Sequence, residues 1–124
     1  VPSLLSEKQL EVVRAKVGHE ELLRLKSTVR RIKEKVLRQP ELQIHFMLNE
    51  GASESSLIGL NAGGVIYLNV NYAPFFSADG LKVFGTIIHE LAHTNCSSHD
   101  LDFIHAQEDL FLAFMRPFCE EFRD

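Results

Sequence analysis

The chain has 124 residues, 45% hydrophobic and 24% charged, with a formal net charge of −4 and two cysteines. These values predict one soluble globular domain, residues 1–124, built on a single core, and they offer no basic field of the kind non-specific nucleic-acid binding needs. No apolar run approaches the roughly 20 residues of a membrane span, and Cys96 with Cys119 makes no disulfide framework, so an intracellular setting, cytoplasmic or nuclear, is expected. The chain opens on Val1 with no initiator Met and no basic-then-apolar leader, which reads as a processed product or a domain excised from a longer protein.

Residues 1–5 form a short apolar lead. Ser6 followed by Gln9 fits a capping box and predicts a first helix through Leu10, Val13 and Val17, broken at Gly18. A second helix is expected from about His19 to Arg38. Its Leu22, Leu25, Val29, Ile32 and Val36 recur at helical spacing and make a core-facing stripe. The other faces carry Arg24, Lys26, Arg30, Arg31, Lys33, Lys35 and Arg38 against Glu20, Glu21 and Glu34. That is a solvated face, or else a docking surface for an acidic partner or DNA. Pro40 is expected to stop the helix. From Glu41 the period changes to two, with Leu42, Ile44, Phe46 and Leu48 alternating with Gln43, His45 and Met47, a half-buried strand. A polar loop over residues 49–56 leads to a short strand at 57–60. A turn at Asn61–Gly64 then leads to a strand at Val65–Asn71. The expectation is an α+β domain with a small, mostly antiparallel three-stranded sheet after two N-terminal helices.

Ser77 or Asp79 can cap the next helix, predicted from about Gly80 to Asn95. Its apolar run Val83-Phe84-Gly85-Thr86-Ile87-Ile88 precedes His89-Glu90-Leu91-Ala92-His93, an HExxH pattern. Four residues are about one helical turn, so the two imidazoles share a face and can hold a first-row metal, with Glu90 beside it as a base for a water. A bare HExxH arises by chance in on the order of a few per thousand chains this size, and a His at one further fixed position lowers that by roughly fifty-fold. That further residue is His99. On a continuing helix it would lie about 240° round the axis from His93, so it joins the pair only if the helix ends between them. Thr94-Asn95-Cys96-Ser97-Ser98 is such a stop: Asn tolerates the left-handed conformation and the serines are poor helix formers. Three imidazoles would leave tetrahedral zinc one open position, the form of a catalytic site rather than a structural one. Asp100 is a candidate for orienting an imidazole, or else a helix N-cap. A final helix is expected over about Asp102–Phe122, with Phe103, Ala106, Leu110, Phe114 and Phe118 inward and Pro117 kinking or ending its last turn.

The stretch HELAHTNCSSHD (His89–Asp100) resembles the zincin superfamily of metalloproteases, and its His-Asp ending is most similar to the WLM and SprT-like groups. The resemblance is close over Gly80–Asp100 and elsewhere extends only to architecture. It implies a minimal zincin-like fold, one Zn2+ ion held by His89, His93 and His99, and Glu90 as catalytic base of a zinc-dependent metallopeptidase acting on a protein or peptide substrate. In those groups the activity is associated with clearing proteins crosslinked to DNA. The secreted metzincins share the spacing, but here Cys96 stands where they place a turn glycine, and no Met-turn follows.

Other residues compete for each role. Cys96, His105 and Glu108 are alternative ligands. His19 and His45 are expected on the surface. Tyr67 and Tyr72 could donate to an oxyanion or simply pack. The strand Val65–Asn71 could offer its edge to an extended peptide. A non-proteolytic zinc-binding or interaction module inside a larger protein is the alternative to an enzyme. The shortness of the chain argues for it, since a full-sized substrate cleft is not assured; the intact Glu90 argues against it.

Overall fold

A computed structural model describes residues 7–48 and 58–123 of the chain. The apolar lead, the Ser6 cap and the 49–56 loop of the sequence reading lie outside the described residues.

Among the described residues the architecture is α+β, with four α-helices and a three-stranded mixed sheet. Helix α1 (Glu7–Val17) ends at Gly18, whose φ of 96° is one that side-chain-bearing residues rarely adopt. Helix α2 (His19–Arg31) buries Leu22, Leu25, Thr28 and Val29. The helix expected to continue evenly to Arg38 instead widens into a π-helical turn over Ile32–Val36, which still buries Ile32 and Val36. The chain leaves it through Arg38 at φ 55°, two residues before Pro40. Pro40 disfavours helical geometry only at the residue before it, so the stop is the left-handed residue rather than the ring. Of the basic residues on this segment, Arg24 donates to the Phe76 carbonyl and Arg31 to Glu121. Lys26, Arg30, Lys35 and Arg38 are exposed.

Strands β1 (Ile44–Met47), β2 (Gly59–Ala62) and β3 (Val65–Asn69) form a sheet in the order β1-β3-β2. The sheet is not mostly antiparallel: β2 pairs antiparallel with β3, but β1 pairs parallel with it, Ile44 opposite Ile66 and Met47 opposite Asn69. Alternating hydrophobicity identifies strands without naming their partners, and here the chain passes to the far edge before its tight hairpin returns β3 to the middle. That hairpin turns on Gly63 and Gly64, both with positive φ, the two-residue geometry whose twist suits paired strands. Being central, β3 is buried on both faces. His45 is half-buried rather than on the surface: Nε2 lies 2.9 Å from Gln43 Oε1 and the ring packs on Tyr67. His19 is exposed.

A short 3-10 turn (Ala73–Phe76) leads to α3 (Leu81–Ala92), whose Leu81 N–H donates to Asp79 Oδ1. Gly80 begins α3 at φ 69°, and a Cβ there would stand 3.0 Å from the Phe122 ring and 3.2 Å from Thr28. Helix α4 (Leu101–Phe122) then runs back across the molecule and continues through Pro117, which neither ends it nor shortens its last turn. Phe84 of α3 stacks on Phe118 of α4 at 4.3 Å, and Arg31 of α2 lies 4.2 Å over the Phe122 ring while pairing with Glu121. Val83, Phe84, Ile87 and Ile88 of α3 are fully buried in a core shared with α2, β3 and α4. The outward face of α3 is therefore held against a fixed base.

Candidate metal centre and cleft

Helix α3 stops at Ala92, with His93 as its last residue of helical conformation and Thr94 closing a tightened final turn onto Leu91. The chain then reverses. His99 Nε2 comes to lie 3.1 Å from His93 Nε2 and 3.3 Å from His89 Nε2. Four-coordinate zinc with Zn–N bonds of about 2.0–2.1 Å sets its nitrogens about 3.3–3.4 Å apart, close to the two distances His99 makes, and all three ligand atoms lie within 4.8 Å of one another. Among the described residues, these three histidines form the group able to hold a metal.

The other ring nitrogens test the fit. His93 Nδ1 is 2.8 Å from the Cys96 carbonyl oxygen and His89 Nδ1 is 3.0 Å from Gln107 Oε1. Both partners accept, so Nδ1 carries the proton in each ring and Nε2 presents its lone pair to the shared point. That is the tautomer a metal-ligating imidazole requires. Phe103, 3% exposed, lies within 4.4–4.9 Å of all three imidazole rings and fixes their mutual tilt from below.

Asp100 does not orient an imidazole in the structure. Its Oδ1 accepts from the Phe103 N–H at 3.0 Å as the N-cap of α4. The orienting positions are taken instead by Gln107 and by the Cys96 carbonyl, neither of which the sequence reading singled out. Gln107 carried one faint signal, a polar residue on the inward stripe of α4 between Phe103 and Phe111. A backbone carbonyl carries none. Cys96, His105 and Glu108 are not brought into the cluster; His105 and Glu108 face each other across 3.8 Å on the exposed side of α4.

Glu90 is 6% exposed, unusual for a carboxylate. Burial pushes its carboxyl above the ordinary carboxylate value, against His93, His99 and the Asn61 backbone amide, which all favour the charged form. Asn61, on β2, ties this region together. Its side-chain Nδ2 donates to the Glu90 carbonyl at 2.6 Å and to Thr94 Oγ1 at 3.0 Å, and its Oδ1 accepts from Gly64 N at 2.8 Å. The close approach of α3 to β2 depends on Gly59, where an added Cβ would stand 2.9 Å from Thr86 and 3.3 Å from the Tyr67 carbonyl.

A cleft of about 900 Å3 opens beside the cluster, bounded by β2, the outward face of α3 and α4. Its strand wall is Gly59, Leu60 and Asn61 of β2 with the preceding Ile58, rather than β3. The edge expected at Val65–Asn71 is not available because β1 and β2 cover both sides of that strand. Pairing of the Ile58 carbonyl with Asn69 N on the β3 side leaves the main-chain groups of Gly59 and Asn61 pointing outward. Tyr72 lines the cleft. Tyr67 is buried against His45 and takes no part in that lining. No protein-family model, no curated protein and no solved structure matches the chain.

Proposed function

We propose that this domain is a zinc-dependent metallopeptidase of minimal zincin-like architecture, with His89, His93 and His99 as the ligands of one Zn2+ ion and Glu90 as general base. The observation that carries the reading is the convergence of three imidazoles, their ligand atoms within 4.8 Å of one another, beside a buried glutamate in a cleft. A zinc ion held there supplies Lewis acidity, which acidifies a water and polarises a carbonyl.

The chain's own residues supply the rest. Glu90, held by the Asn61 backbone amide, removes the proton from the attacking water and passes it to the departing amine. Its burial raises its basicity for the first transfer and excludes bulk water from the second. Gln107 and the Cys96 carbonyl hold the imidazoles of His89 and His93 against rotation. With the Asn61 N–H engaged by Glu90, the outward groups of Gly59 and the Asn61 carbonyl are placed to bind an extended peptide along the cleft by strand addition. A purely structural or interaction module has no use for a buried carboxylate next to its imidazoles, since burying the group costs stability. That separates this reading from a non-proteolytic zinc module.

The test compares wild type with Glu90→Gln. Both are expected to bind one zinc, and only wild type to cleave an unfolded protein, the variant losing about 10²–10⁴-fold in rate. Equal cleavage by the two proteins, or none by either across a broad set of unfolded substrates, removes the peptidase assignment.

A further inference from the structure

We infer that Lys82 is a specificity-determining residue that selects polypeptides carrying an acidic side chain two to four residues from the bond presented to the histidine cluster. The inference rests on the peptidase reading and names its substrate class.

Lys82, Thr86 and His89 follow one another at i, i+4 and i+7 along α3, so they share its outward face, and all three line the cleft. Seven residues of helix separate Lys82 from His89 by about 10 Å, and an extended chain covers that in about three residues. The reach of a lysine side chain widens the window by one residue either way. Lys82 is exposed, and no ion pair among the described residues involves it. Asp79, three residues earlier, is turned away to accept from the Leu81 N–H at 2.9 Å and from the Ser77 hydroxyl at 3.3 Å. Among the described residues, the one acidic side chain in the lining is Glu90, buried at the other end beside the imidazoles. Among the described residues, nothing neutralises the positive charge at the far end of the cleft.

Gly85 supplies an independent observation. It sits inside α3 without positive φ, and a Cβ built on it would meet no heavy atom within 4 Å. Neither backbone conformation nor close packing requires glycine there, although glycine inside a helix costs about 1 kcal/mol relative to alanine. What its missing side chain does is clear the floor of the cleft between the cluster and Lys82. A substrate chain can lie along that path and bring a carboxylate to the ammonium group.

The experiment uses the zinc-loaded Glu90→Gln protein, so that peptides bind without turnover. Labelled peptides, acetylated and amidated at their ends, carry Glu, Gln or Lys at the second, third or fourth position from a central apolar pair, and affinity is read by fluorescence anisotropy. The Glu peptides are expected to bind about two- to fivefold tighter than the Gln peptides, a margin typical of an exposed charge pair that shrinks in high salt. Lys82→Glu in the same background, its folding checked by circular dichroism, is expected to reverse the order in favour of the Lys peptides. Equal affinity for the three series, a preference unchanged by Lys82→Glu, or no peptide binding at all overturns the inference. Cleavage of the same peptides by wild type is scored separately: charge-selective binding without any cleavage removes the peptidase reading and leaves the selection by Lys82 in place.

Discussion

His89 and His93 are each held at Nδ1 by an acceptor, whereas among the described residues His99 has no Nδ1 partner, and it is also the exposed member of the three. Imidazoles whose tautomer is set before the metal arrives pay less ordering on binding it, so Gln107 is expected to matter although it touches no metal. Gln107→Ala should lower zinc affinity by about 10- to 100-fold, the usual effect of removing a hydrogen-bond partner of a ligating histidine, with the fold unchanged. Competition against a chromogenic chelator measures this directly. Gln107→Glu, which keeps an acceptor, should restore most of the affinity; no recovery would assign Gln107 a packing role instead. Asp100 marks the opposite case. A carboxylate next to a ligand in sequence suggests support for the imidazole, yet its geometry at the start of α4 commits it to the Phe103 N–H.

At the level of elements, α3 is the part most fully legible in sequence. Its buried stripe follows from residue types with local rules, and Asp79 does take the Leu81 N–H, although Gly80 is the N-cap; the end expected near a left-handed Asn95 comes instead at Ala92, with Arg38 the one non-glycine described residue at positive φ. The sheet was legible as three strands but not as a topology, because Ile44 and Phe46 alternate in the same way whether their neighbour runs parallel or antiparallel. The two glycines at either end of the α3 argument separate these local effects. Gly80→Ala should destabilise the fold by about 1–3 kcal/mol, since it forces a side chain into positive φ and against Phe122 and Thr28. Gly85→Ala should instead stabilise it by about 0.5–1 kcal/mol, since only helix propensity changes. Urea denaturation of the zinc-free proteins distinguishes the two. A destabilised Gly85→Ala would show that the space above it is needed for folding, not for a ligand.

For the molecule as a whole, the site is a junction of distant segments. Strand β2 supplies Asn61, α3 supplies two histidines and Glu90, the reversing turn supplies His99, and α4 supplies Phe103 and Gln107. The Arg31–Glu121 pair and the Arg31–Phe122 contact hold the far end of α4 to α2, which keeps α4 across α3. Only the part of the site contained in residues 89–99 could be read from the chain; Asn61, Phe103 and Gln107 join it through tertiary contacts that no spacing announces. The central claim is that three imidazoles and no other side chain hold one zinc ion. X-ray absorption spectroscopy of the protein loaded with one equivalent of zinc tests it most directly. The account predicts three imidazole nitrogens and one further light atom at about 2.0–2.1 Å. A sulfur scatterer near about 2.3 Å, which would bring in Cys96, or a shell with only two imidazoles would contradict it.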